Sequence, residues 1–192
     1  MAQTETRDRA GAAGAAEEKP KPRRISKRKR VEAHVRSYFD ALAARDVRAV
    51  GDHWREDGVA EIVPLGLFRG RAEIMDFFAA TFAAAPDMQT TVSRVVAAEQ
   101  SAAVEWRMEG TFDGQPFQGI DPTGRRLEIR GLDLLEIEDG EIVSNTAYYD
   151  GMAFARQVGM MPPQDSTAER AIKSTFNAVT RARRAIADRT AS

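Results

Sequence analysis

Residues 127–149, LEIRGLDLLEIEDGEIVSNTAYY, hold two alternating runs that meet at Asp139 and Gly140. Alternate side chains of a strand share a face, so Leu127, Ile129, Gly131, Asp133, Leu135 and Ile137 point the same way. An Asp-Gly pair between alternating runs marks a tight hairpin, which makes 127–138 and 141–149 antiparallel neighbours. Five of those six positions are apolar or glycine, and the sixth is Asp133, a carboxylate on the side that the pattern assigns to the core. A buried carboxylate without a partner costs several kcal/mol, which protonation or hydrogen bonding relieves. Its presence there asks for a chemical reason.

Upstream, 89–98, 102–112 and 117–119 read as further strands, separated by turn signals at Asp113-Gly114 and at DPTG, 121–124. Before residue 89 the spacing is helical instead. Val31, Val35, Tyr38, Phe39 and Leu42 fall on one stripe, and a short second helix over 47–54 presents Val47, Val50 and Trp54 inward. VAEIVPLGLFRG, 59–70, alternates and then breaks at Pro64 and Gly66, as a short strand with an irregular exit does. An amphipathic helix follows, with Ile74, Phe77, Phe78 and Phe82 on its core face and its end before Pro86. Helices first and an antiparallel meander after them imply an α+β class, with the helices covering one face of a curved sheet.

Residues 1–24 lack apolar periodicity and read as a disordered tail. Residues 25–162 form the one domain with a core. Asp150 can cap a short helix, GMAFARQVG, and 163–192 read as a basic helical extension that opens on a capping box, Ser166 to Glu169. Ile172, Phe176, Val179 and Ile186 lie on one side of that extension. The net charge of −1 conceals an uneven distribution: residues 1–30 hold ten Lys or Arg against four Asp or Glu, and 163–192 hold six against three. The stretch between them holds twelve against twenty-two, so an acidic body carries basic ends. Such a body is a poor match for a phosphate backbone, which leaves nucleic acid at most a weak contact through RRISKRKR, 23–30. A solvated lead-in to the first helix is the plainer account of that cluster.

The chain has no cysteine and two histidines, His34 and His53, which excludes thiolate chemistry and a histidine-rich metal site. No glycine-rich loop suggests a nucleotide, so neither a metal nor a cofactor is expected. No apolar run approaches the roughly 18 residues that span a bilayer, and the N-terminus lacks the features of a secretory signal. A cytoplasmic location is the expectation.

The order of helix pair, strand with broken exit, helix opening on Gly-Arg, and long meander resembles the cone-shaped NTF2-like fold. The stretches that carry the likeness are YFDALAARDVRAV (38–50), FRGRAEI (68–74), RGLDLLEIEDGEIV (130–143) and AYYDGMAFARQVG (147–159). Among proteins of that fold the chain resembles the SnoaL-like polyketide cyclases, ketosteroid isomerases and limonene epoxide hydrolases. The resemblance implies a sheet curled around a small, mostly apolar, oxygen-bearing ligand. It also implies cofactor-free acid/base chemistry such as enolisation, aldol cyclisation or epoxide opening.

By that resemblance Tyr38 falls at the tyrosine of the isomerases' oxyanion hole, and Asp133 falls at its partner, a carboxylic acid kept neutral by an apolar site. The general base carries over less cleanly. The isomerases' first-strand acid falls on Glu61 or Ile62, and the catalytic aspartate of the cyclases and epoxide hydrolases falls on Ala147. Arg107 and Glu109 match an Arg and Asp two apart in the epoxide hydrolases, whose first-strand tyrosine and asparagine fall on Ala60 and Ile62. The candidate catalytic set is therefore Asp133 as acid or hydrogen-bond donor, Tyr38 as its partner, and Glu61 or Glu109 as base. The candidate ligand contacts are Arg107, Trp54, Ile62, Asn145, Ala147 and Tyr149.

Each candidate has a plain alternative. Asp133 can pair with Arg107 or face water at a wide mouth, and Tyr38 can be an ordinary core aromatic. Arg107 and Glu109 can form a surface salt bridge across strands, and His53 can be a packing or capping residue. A non-catalytic ligand-binding or assembly domain is the rival to an enzyme, because Ala147 stands where the cyclases have an acid. Leu132 and Leu134, on the face opposite Asp133, offer apolar surface for a homodimer.

Overall fold

The computed structural model describes residues 26–190, so the expected tail over 1–24 lies outside the described residues. Helix α1 (Lys27–Ala44) begins at Ser26, whose hydroxyl accepts from the Lys29 N–H, and ends on Arg45 in the left-handed region. Its expected stripe is buried: Val31, Val35, Tyr38, Phe39 and Leu42 all face the core. Asp46 caps the short α2 (Val47–Asp52). Strands β1 (Trp54–Ile62) and β2 (Gly66–Arg69) form a hairpin that leads into α3 (Gly70–Ala84), where Ile74, Phe78 and Phe82 are buried. The meander follows as β3 (Gln89–Ala97), β4 (Ser101–Phe112), β5 (Arg125–Glu138) and β6 (Glu141–Tyr149). Two helices complete the described chain, α4 (Gly151–Val158), capped by Asp150, and α5 (Thr167–Thr190).

All six strands join one curved, unclosed sheet in the order β2-β1-β6-β5-β4-β3. The hairpin expected at Asp139-Gly140 is present, and Asp133 stands directly between Val104 of β4 and Ala147 of β6. Burial alternates along β5 as its sequence requires, with Leu127, Ile129, Asp133, Leu135 and Ile137 inward and Leu132 and Leu134 outward. The helices pack on the inward face, α1 against β3 and β4 and α3 against β1 and β2. Between them the core gathers Tyr38, Trp54, Ile74, Phe78 and Trp106.

Two local expectations are corrected. Trp54 does not end a helix but opens β1, where it pairs in parallel with Ile142 before a bulge restores register at Val59 and Ser144. Its partner lies far along the chain, so local spacing cannot reveal the pairing, and the polar run Arg55, Glu56, Asp57 falls within the bulge. The expected meander is antiparallel throughout, and β1 joins it through this parallel pair with β6. Residues 117–119 form a turn instead of a strand, because Phe117 and Ile120 exchange both backbone hydrogen bonds across Gln118 and Gly119, at φ of 52° and 75°.

Candidate functional site

The concave face of the sheet and the helices on it enclose a cavity of about 120 Å³. Its wall is built from side chains such as Leu42 on α1, Phe78 on α3, Met108 on β4 and Ile129 on β5, and Phe154 of α4 stands at one side. Among the described residues, Asp133 is the one carboxylate on that wall. Only 5% of its surface is exposed. Trp106 donates from Nε1 to Oδ1 at 2.7 Å, and Asn145 donates from Nδ2 to Oδ2 at 2.8 Å. Both donors are neutral, and neither Val104 nor Ala147, its cross-strand neighbours, brings a charge.

The strands dictate this arrangement. Trp106 sits opposite Gly131 in the β4–β5 register, two residues from the Val104–Asp133 pair. The missing side chain at Gly131 is what lets the indole lie across β5, since a Cβ there would collide with three carbons of the Trp106 ring. Asn145 reaches the carboxylate from β6, two residues from Ala147. Burial pushes the Asp133 carboxyl up to about 6, while the Trp106 and Asn145 hydrogen bonds hold it back from rising further. A group poised there can take up a proton and return it near neutral pH.

The other candidates divide into three groups. Ile62, Asn145, Ala147 and Tyr149 line the cavity with Asp133. Tyr149 is half-buried, and burial raises its hydroxyl above the ordinary tyrosine range. Tyr38 and Trp54, both fully buried, stand behind the wall, with their rings packed edge to face at 6.1 Å. Neither the Tyr38 hydroxyl nor the Trp54 indole nitrogen closes a hydrogen bond of ordinary geometry. Burial first, and then the charge on Asp133, push the Tyr38 hydroxyl well above its usual range, an effect that Trp54 partly offsets.

Glu61 is exposed on β1, because Ala60 and Ile62 take the inward positions on either side of it. Arg107 and Glu109 also face outward, where Arg107 pairs with Glu109 at 3.1 Å and with Glu128 across the strands at 3.0 Å. Arg107 therefore does not pair with Asp133. His53 caps α2 and spends both ring nitrogens on Ala49 O and Ser37 Oγ.

Sequence reasoning passed over Trp106 as a partner for Asp133. A signal was present, since a glycine inside a strand marks a place where another group approaches the backbone. Identifying that group needed the register. Among the described residues no cluster of three or more potential metal ligands converges, and no helix is long and apolar enough to cross a membrane.

Comparison with known proteins adds two findings. The sequence profile described as SnoaL-like polyketide cyclase matches residues 32–158. Among solved structures, a candidate SnoaL-like polyketide cyclase from Jannaschia sp. CCS1 superposes with a TM-score of 0.65 at 19% identity, over 74% of this chain and 100% of that one. AclR, a candidate hydroxylase from Streptomyces galilaeus, gives 0.64 at 21% identity, over 82% of this chain and 98% of its own. IdmH, a candidate polyketide cyclase from Streptomyces antibioticus, gives 0.58 at 23% identity, over 67% of this chain and 97% of its own. At such identities the superpositions establish the NTF2-like fold. A search of curated protein sequences finds no match.

Proposed function

The chain belongs to the SnoaL-like polyketide cyclase family, and on that premise we propose that it is a small-molecule enzyme working by cofactor-free acid/base chemistry. Its ligand is a mostly apolar molecule bearing a carbonyl or hydroxyl oxygen, held in the cavity against Asp133. The observation that carries this reading is a buried carboxyl on a mostly apolar wall, held by two neutral donors, where burial raises it to about 6. The Asp133 carboxylate removes a proton from the carbon beside the ligand carbonyl, and the electron pair moves into an enolate. Where a double bond lies β,γ to that carbonyl, the resulting dienolate takes the same proton back at its γ carbon and the double bond moves into conjugation, which is isomerisation. In the cyclising variant the enolate attacks a second carbonyl carbon of the ligand, and the proton goes to the new alkoxide oxygen. One carboxyl serves as base and then as acid, which suits a cavity where Glu61 and Glu109 face outward and Ala147 replaces an acid.

Deuterium exchange into 1-tetralone and related apolar ketones in heavy water tests this without knowledge of the substrate. The protein should accelerate exchange beside the carbonyl with a pH midpoint near 6, and Asp133→Asn should abolish the acceleration. Equal exchange by the variant would remove Asp133 from the mechanism. The rival reading, a non-catalytic ligand-binding domain, is favoured by Ala147 opposite Asp133 and by Tyr38 standing behind the wall. Ketone binding without any exchange would select it. We also assign Leu132, Leu134 and Tyr148, exposed together on the outer sheet face, to a homodimer contact. A monomeric mass in light scattering would contradict that assignment.

A further inference from the structure

Helix α5 (Thr167–Thr190) lies outside the matched family region, and its first turn is tied to the preceding chain. There Glu169 accepts from the Asp165 N–H at 2.8 Å and from Arg156 at 2.8 Å, and it pairs with Lys173 at 3.0 Å. Beyond that turn, from residue 170 to 190, no side chain is fully buried. Ile172, Phe176, Val179 and Ile186 are 56%, 69%, 45% and 63% exposed, an unusual cost for side chains of this size. Together with Arg183 they recur at alternating steps of four and three residues, the spacing of a coiled-coil seam. The same helix carries Arg170, Lys173, Arg181, Arg183, Arg184 and Arg189 against Glu169 and Asp188.

We propose that this seam docks an acidic amphipathic helix of another protein. The width of the stripe decides between a helix and a lipid surface, because two positions in seven make a helix-pairing seam, whereas a helix lying in a bilayer interface needs a broader apolar face. Charge decides between a foreign helix and a second copy. Arg183 occupies a seam position, so a second copy would set it against its own Arg183 in parallel or against an apolar Ile172, Val179 or Ile186 in antiparallel, with no carboxylate to meet it. A partner with glutamates beside that position completes the seam and neutralises Arg183. This inference is independent of the chemistry assigned to the cavity.

The test uses the full chain and a synthetic helical peptide of three repeats of Glu-Ile-Ala-Ala-Leu-Glu-Gln, with a control peptide in which lysine replaces every glutamate. The acidic peptide should bind saturably, and Phe176→Ser should weaken it at least tenfold. Arg183→Glu should weaken the acidic peptide and improve binding of the lysine peptide. Both positions are exposed, and an unchanged circular dichroism spectrum and melting temperature establish that the variants fold. Equal binding of both peptides, or none of the acidic one, would overturn the proposal. So would a doubling of mass that Phe176→Ser reverses, which would make the occupant a second copy. Partition into phosphatidylserine vesicles lost in Phe176→Ser would overturn it in favour of a lipid surface.

Discussion

Asp133 and Glu169 expose equally little surface, 5% each, but Asp133 lies deep in the core and Glu169 is covered locally near the surface, and their surroundings drive them in opposite directions. Glu169 is held down at about 2, first by the Asp165 N–H and then by Lys173 and Arg156. Asp133 is pushed up to about 6, because burial outweighs two neutral donors. Low surface exposure alone therefore does not fix the behaviour of a carboxyl. The depth of the surrounding packing and the charge and number of its partners do, and the difference separates an anchor for α5 from a group able to move protons.

The comparison can be broken or sharpened in four ways. Asp133→Asn should reduce proton exchange by about 100-fold or more, the usual scale for a lost acid/base group, whereas Glu169→Gln should leave exchange unchanged. The second effect concerns stability. A carboxyl raised on folding binds its proton more tightly in the native state, so its stabilising contribution is present below about pH 4 and is lost as pH rises through about 6. Asp133→Asn should then be as stable as the parent or more stable at pH 8, by up to about 3 kcal/mol, with the difference vanishing near pH 4. Glu169, lowered on folding, behaves in the opposite sense, with a contribution present above its ordinary value and lost as pH falls through about 2. Glu169→Gln should thus speed amide exchange in α5 at neutral pH.

The third effect is smaller. Gly131→Ala should cost about 1–3 kcal/mol by driving the Trp106 ring off β5, and it should shift the tryptophan fluorescence as the Asp133 contact loosens. Smallest of all, Arg107→Ala on the outer face should cost under about 1 kcal/mol and leave proton exchange intact.

Much of the cone was legible because it rests on local patterns. The period of two on β5 put Asp133 inside, the Asp-Gly turn fixed its hairpin with β6, and the apolar stripes of α1 and α3 lie where their spacing required. The features that were not legible depend on contacts distant in sequence. Trp54 pairs with Ile142, and Trp106 reaches Asp133 only through the β4–β5 register and the gap at Gly131. Tyr38 shows a third limit. Its stripe position was correct, but the packing of Trp54 and Phe78 around it sets the ring behind the cavity wall, and helical spacing carries no information about that depth. The capping box at Ser166 was readable as well, since its hydroxyl accepts from the Glu169 N–H, yet the reach of Glu169 to Arg156 on α4 was not.

The most direct test of the central claim is a carbon-13 NMR titration of the aspartate side-chain carboxyls, with Asp133→Asn used to assign the resonance. The expected result is one aspartate titrating near pH 6 that disappears in the variant. An Asp133 resonance titrating near pH 4, the ordinary aspartate value, would contradict the claim that burial has made this group a proton carrier.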